Sequence, residues 1–272
     1  MEKKWALVLG ASSGFGGASA LALAKNGYNI IGVHLDRLAT MPQVHALIKK
    51  IEKAGQKALF YNINAADQLR RNDILEELKE TFKGEEKVNV LIHSLAFGSL
   101  RPYIAKNPND CITQAQMVMT LDVMAHSLVY WTQGLIQNDL FAEGGRIFGL
   151  TSAGSQTVIP HYGAVSAAKA AMESHIRQLA VELGHMRITA NAVMAGVTDT
   201  PALRKIPLND KMMTSAKMKN PGGRLTTPED IANAIVLLCD PRADWISGNV
   251  IGVDGGEFIV NYIGDKVSQP IK

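Results

Sequence analysis

Residues 9–17 read Leu9-Gly10-Ala11-Ser12-Ser13-Gly14-Phe15-Gly16-Gly17. The stretch follows a short apolar run, residues 6–9, and precedes a helical pattern, residues 18–25. It is therefore a strand-to-helix turn, with glycines at the first, fifth and seventh positions counted from Gly10. Each has a separate task. Gly10 permits the tight turn, Gly14 lets the backbone approach a diphosphate, and Gly16 lets the helix pack closely on the strand. The helix start then offers unpaired N–H groups and a positive dipole end to phosphate oxygens. Glycine spacing alone is a weak signal; its place between a first strand and a first helix gives it meaning. The stretch reads as a dinucleotide-binding turn.

The rest of the chain supplies the matching frame. Short apolar runs at 28–33, 58–62, 88–93, 146–150, 188–193 and 250–253 read as further strands. Between them lie helical patterns at 44–54, 68–82, 114–137 and 161–183, and a helix opened by Pro228-Glu229-Asp230. Asn26-Gly27, Gly55 and Gly144-Gly145 punctuate them as stops and turns. Strands alternating with helices predict an α/β fold: a Rossmann-type, doubly wound, parallel seven-stranded sheet with helices on both faces. Residues 1–272 read as one domain. The irregular stretch 198–227 reads as a mobile loop with short helical pieces, a lid over the substrate.

Composition excludes several classes. Hydrophobic residues at 47% and charged residues at 19% describe a globular chain, not a disordered one. A net charge of +3 with scattered basic residues argues against nucleic acid or a membrane surface as partner. Cys111 and Cys239 are far apart and lack metal-ligand spacing, so no metal site is expected and a reducing compartment fits. Trp5–Leu9 is too short for a signal-peptide core, and no apolar stretch reaches the roughly 20 residues that span a bilayer. A cytoplasmic enzyme is the expectation.

Two places carry the chemistry. The second strand ends Val33-His34-Leu35-Asp36-Arg37, where the adenosine ribose is usually read. Asp36 suits a 2′-hydroxyl and NADH, whereas the planar fork of Arg37 suits a 2′-phosphate and NADPH. The reading favours NADPH over NADH. Further on, Tyr162 and Lys169 stand seven residues apart on one helix pattern, close to two turns, so they share a face. An ammonium near a phenol lowers the phenol's pKa, which is what a proton donor needs. Ser152, with Thr151 beside it, follows the fifth strand.

Together these segments resemble the short-chain dehydrogenase/reductases over essentially the whole chain. The resemblance rests on GASSGFG at 10–16, HYGAVSAAKAAMES at 161–174, NAVMAGVTDT at 191–200, NPGGRLTTPEDIA at 220–232 and VDGG at 253–256. The usual family lysine lies four residues after the tyrosine, where this chain has Ser166. The longer spacing to Lys169 resembles the divergent enoyl-acyl-carrier-protein reductase branch of the NADPH-dependent type. So do His93-Ser94-Leu95-Ala96-Phe97 and Asp122. Many of those reductases carry a second tyrosine where this chain has Ser152, which leaves the assisting hydroxyl open between Thr151 and Ser152.

The resemblance implies hydride transfer to C3 of a trans-2-enoyl thioester, with Tyr162 stabilising the enolate oxygen and Lys169 fixing the ribose. It implies cofactor contacts at Gly10, Ser12, Ser13, Gly14, Phe15, Gly16, Asp36, Arg37, Asn64, Ser94, Leu95, Ala96, Lys169, Gly196, Val197 and Thr200. Val197 and Thr200 are expected at the nicotinamide carboxamide. A carbonyl reductase of the same family is the alternative, and a non-catalytic dinucleotide-binding regulator the third. The substrate is a small acyl or carbonyl compound, with an acyl carrier protein as a candidate bearer. Leu203, Ile206, Leu208, Met212, Met213 and Met218 would line the lid; Lys205, Lys211, Lys217 and Lys219 would face an acidic carrier. His93 reads as an adenosine or backbone contact. His126, His161 and His175 read as structural, and Trp131 as packing or an oligomer contact. The family's usual assembly is a homotetramer, and Ala164, Ala167, Ala168, Ala170 and Ala171 would let helices approach across its interface.

Overall fold

Successive residues of the first strand, β1 (Lys4–Leu9), serve opposite layers of the core. Ala6 and Val8 pack with Leu23, Ile51, Ile231 and Ile235, whereas Trp5, Leu7 and Leu9 pack with Leu75, Trp131, Met172 and Ile176. A strand buried on both faces belongs in the middle of a parallel sheet covered by helices. The computed structural model describes residues 4–261 and shows this sheet. It continues with β2 (Tyr28–His34), β3 (Ala58–Asn62), β4 (Lys87–His93), β5 (Phe141–Ser152), β6 (Thr189–Ala195) and β7 (Val250–Val253). All neighbours are parallel, in the order β3-β2-β1-β4-β5-β6-β7. Residues 1–3 and 262–272, the ends of the span read as one domain, lie outside the described residues.

One helical layer holds α1 (Gly14–Lys25), α2 (Met41–Lys53) and α8 (Pro228–Leu238). The other holds α3 (Gln68–Thr81), α4 (Gln114–Leu121), α5 (Ser127–Gln137) and α6 (Gly163–Glu182). Local chemistry sets several starts. Asp67 caps α3 by accepting from the Arg70 N–H. Thr113 with Gln116, and Thr227 with Asp230, form reciprocal capping boxes at α4 and α8.

Two expectations change. The fifth strand begins at Phe141, before the glycine pair expected to precede it. Phe141 pairs with Val88, and a register irregularity lets the strand run through Gly144-Gly145 to Arg146 opposite Val90. Residues 114–137 are helical throughout, but a π-helical turn, Asp122–His126, separates α4 from α5. The helical pieces expected within 198–227 are a 3-10 turn at Leu203–Lys205 and a helix, α7 (Asn209–Lys219).

The strand order reverses between β1 and β4, whose C-terminal ends therefore open a crevice. No helix among the described residues is long and apolar enough to cross a membrane.

Candidate active site

The glycine turn fits a closely approaching ligand backbone. Gly10 has φ +89°, and a Cβ there would stand 2.5 Å from the Ser94 carbonyl oxygen, at the end of the neighbouring strand β4. A Cβ on Gly16 would fall on the Gly10 carbonyl, and Gly14 has φ +55°. Ser13 precedes α1 without capping it by its side chain, which leaves first-turn N–H groups to a ligand. A nicotinamide dinucleotide suits this cradle.

At the end of β2, Asp36 turns toward the cradle. His34 Nδ1 lies 3.0 Å from Asp36 Oδ2. Burial pushes the Asp36 carboxyl up, but hydrogen bonds from Thr40, Ser12 and His34 outweigh it and hold the group below its ordinary value. Asn62 clamps the Asp36 backbone, accepting its N–H and donating to its C=O, both at 2.9 Å. Arg37 is exposed. Asn64 accepts from the Ala66 N–H and lines a second hollow with Thr113, Gln114 and Asp122, not the main cavity.

The main cavity, of about 260 Å³, opens beyond the strand ends. It brings together Tyr162, Lys169, Ser152, Thr151, Phe15, Ser94, Leu95, Ala96, Gly196, Val197 and Thr200. Tyr162 stands at the N-cap position of α6, just before its first residue, and makes no capping bond through its side chain. Its ring packs on Gly154, where an added Cβ would stand 2.6 Å from Tyr162 Cε1. Ser166, at the position of the usual family lysine, donates its hydroxyl proton to the Gly154 carbonyl. It thereby ties the turn under Tyr162 to α6. Lys169 is buried, and its Nζ donates to the Leu150 carbonyl at 2.5 Å. The spacing of seven thus puts phenol and amine on one cavity.

Burial raises the Tyr162 phenol above its ordinary value, and the neighbouring Ser152 hydroxyl, whose Oγ is buried without a hydrogen-bond partner of its own, opposes this. That corrects the expected lowering by Lys169: desolvation of the phenolate is the larger effect. Burial pushes Lys169 down to about 8, with Glu173 pulling it back up. The two hydroxyls left open by the sequence separate. Thr151 Oγ1 donates to Glu173 Oε1 at 2.6 Å, whereas Ser152 faces Tyr162.

His93 is fully buried with Nε2 2.9 Å from Ser127 Oγ, so it joins β4 to α5 and does not meet adenosine. Burial and then the Lys169 charge lower it to about 3. His126 Nδ1 and His175 Nε2 lie 2.9 Å apart, tying the π turn to α6. Trp131 is buried and donates to the Ala65 carbonyl, which makes it a packing residue. Ala164 and Ala168 are buried within the chain, so the proposed close-approach face is reduced to Ala167, Ala170 and Ala171. The Val197 N–H donates to Glu257 Oε2 at 3.1 Å, and the Thr200 hydroxyl accepts from the Leu203 N–H. Both residues line the cavity with these groups already engaged. Of the apolar residues expected in the lid, Leu203, Ile206 and Met212 line the cavity, and Leu208 is exposed.

Asn62, Glu173 and Glu257 were missed by sequence reasoning. Glu173 left a signal, an acid four residues after Lys169 on a helix. Glu257 left a weaker one, a charge directly after VDGG.

Residues 10–257 match the family model described as enoyl-(acyl carrier protein) reductase, and the chain belongs to that branch of the NAD(P)H-dependent short-chain dehydrogenase/reductases. The relatives diverge in activity. The chain is 26% identical to versicolorin reductase stcU of Emericella nidulans, over 95% of this chain and 97% of the relative. It is also 26% identical to the NADH enoyl-[acyl-carrier-protein] reductase FabI of Aquifex aeolicus, over 97% of this chain and 94% of the relative. The crystal structure of an enoyl-[acyl-carrier-protein] reductase (NADH) from Aquifex aeolicus VF5 shares the fold, with TM-score 0.82 and 24% identity over 96% of this chain and 99% of that one.

Proposed function

We propose that the protein reduces the 2,3 double bond of an enoyl thioester. The observation that carries this reading is the placement of Lys169, seven residues after Tyr162, on the same cavity, while Ser166 at the intervening position serves the Gly154 turn. When bound, NAD(P)H supplies the hydride. Gly10, Ser12, Ser13, Gly14 and Gly16 would hold its diphosphate, and Asp36 and Arg37 its adenosine ribose. Asp36 opposes a 2′-phosphate and Arg37 attracts one, so the choice between NADPH, favoured from the sequence, and NADH falls to this pair. Ser94, Leu95, Ala96, Gly196, Val197 and Thr200 would enclose the nicotinamide side.

The chain's own part is electrostatic. Tyr162 donates a hydrogen bond to the thioester oxygen as negative charge grows there, and Ser152 orients the phenol. A phenol whose pKa is raised by burial stays protonated and remains a donor at neutral pH. Lys169 places a positive charge beneath the site. The stretch 198–227 acts as a lid, with Leu203, Ile206 and Met212 as an apolar wall for an acyl chain. Lys205, exposed at the cavity rim, would meet an acidic carrier protein. A homotetramer and a cytoplasmic setting complete the proposal; free Cys111 and Cys239 support the latter.

The test is NADPH and NADH oxidation with crotonyl and acetoacetyl thioesters side by side. Turnover of the crotonyl substrate is expected. Turnover of the keto substrate alone would reject the proposal in favour of carbonyl reduction, for which versicolorin reductase is a relative.

A further inference from the structure

A buried ammonium tends to lose its proton, and Lys169 is 6% exposed. The groups that face it come from three elements. From β4 comes the imidazole of His93, fully buried and held neutral. From β5 come the Leu150 carbonyl, which accepts from Nζ, and the hydroxyl of Thr151. From α6 and the residue just before it come Glu173, one turn beyond the lysine, and Tyr162, on the same cavity. Lys205, the other ammonium on this cavity, is exposed at its rim. Glu173 is 7% exposed, and its carboxylate is pinned by the Thr151 hydroxyl at 2.6 Å. Among these groups it supplies the negative charge, and the reaction described above gives it no task.

We propose that Glu173 is a positioning residue: its pinned carboxylate keeps Lys169 protonated inside the cavity and so sets the alkaline limit of the site. The arrangement explains how a lysine withdrawn from water remains a cation, and why Thr151 serves the helix instead of the phenol. The inference rests on the reading of Lys169 as part of a reductase site, but its test does not need turnover.

Lysine-selective 13C labelling follows the Lys169 Cε resonance against pH, with the signal identified by its loss in Lys169→Met. In the Glu173→Gln protein, which keeps an acceptor for Thr151 but no charge, the Lys169 titration is expected to fall by about one pH unit or more, a tenfold loss in proton affinity. Glu173→Asp restores the charge and is expected to recover most of it. Where turnover is measurable, the ratio of kcat at pH 6.5 to kcat at pH 8.5 rises about sixfold in Glu173→Gln, as a one-unit fall from about 8 requires. A purely structural role would lower both values together. The wild-type protein gives a check that depends on no variant folding: the Glu173 Cδ resonance must report a carboxylate at pH 7. A Lys169 titration unmoved in Glu173→Gln, or a Glu173 carboxyl still protonated at pH 7, overturns the proposal. Absence of turnover on every thioester would sink the enoyl reductase reading while leaving both titrations interpretable.

Discussion

Replacing Gly154 by alanine tests the geometry under Tyr162 most directly. The new Cβ would stand 2.6 Å from Tyr162 Cε1 and 3.0 Å from Cδ1. Ordinary carbon contacts lie at about 3.5–4.0 Å, so the methyl group overlaps the ring by about 1 Å. The turn has little freedom to retreat. The Gly154 carbonyl is held by Ser166, Ser155 Oγ donates to the Ser152 carbonyl at 3.0 Å, and the Thr157 N–H donates to the Ala153 carbonyl at 2.8 Å. The ring must therefore swing, carrying the phenol about 1 Å from its place. A displacement of that size costs roughly 100-fold in rate. Gly154 is not among the positive-φ glycines, so the backbone adds no strain, and the overpacking costs only about 1–3 kcal/mol of stability. The expected protein is folded, binds NAD(P)H as before, and has kcat on the crotonyl thioester reduced about 100-fold. Dinucleotide affinity by fluorescence titration and kcat by absorbance at 340 nm separate the two effects. A Gly154→Ala protein with kcat within about threefold of the parent would refute the idea that this turn seats the phenol.

Other perturbations test separate parts of the site. Tyr162→Phe removes the donor to the developing oxyanion and is expected to lower kcat by 100-fold or more, roughly the cost of one oxyanion donor, with dinucleotide affinity retained. Unchanged turnover would place the proton donor elsewhere. Asp36→Ala removes the anion held beside Ser12 and should raise the NADPH-to-NADH ratio of kcat/KM about tenfold or more, as expected for removing one close like charge. A ratio that falls would place the adenosine ribose away from this carboxylate. Asp230 is held at about 2, first by Arg224 and then by its cap bonds to Thr227. A depressed carboxyl stabilises the fold above its ordinary pKa of 3.8, and that contribution is lost as pH falls toward 2. Because Arg224 is largely exposed, Asp230→Ala should cost only about 1 kcal/mol near pH 7, with the difference from wild type closing in acid. Denaturant unfolding at several pH values reads this, and a pH-independent difference would exclude the charge as its source.

How much of this was legible depends on the range of the force involved. The glycine turn, the strands and the helix starts are governed by neighbours in sequence. Apolar runs, glycine backbone freedom and the Pro228-Glu229-Asp230 helix start all act within a few residues, so the parallel alternation and the cradle were readable at once. The π turn at Asp122–His126 and the run of β5 through Gly144-Gly145 were not. The strand's course is set by pairing with β4, across some fifty residues of chain.

The sequence by itself determined the α/β order, the dinucleotide turn and the spacing that sets Tyr162 against Lys169. The tertiary structure alone decided which of two adjacent side chains faces the site: Ser152 toward the phenol and Thr151 toward Glu173, Asp36 toward Ser12 with Arg37 exposed. Neighbours on an extended segment point opposite ways. Composition names both, and only the layer packed against the strand determines which of them meets water, helix or ligand.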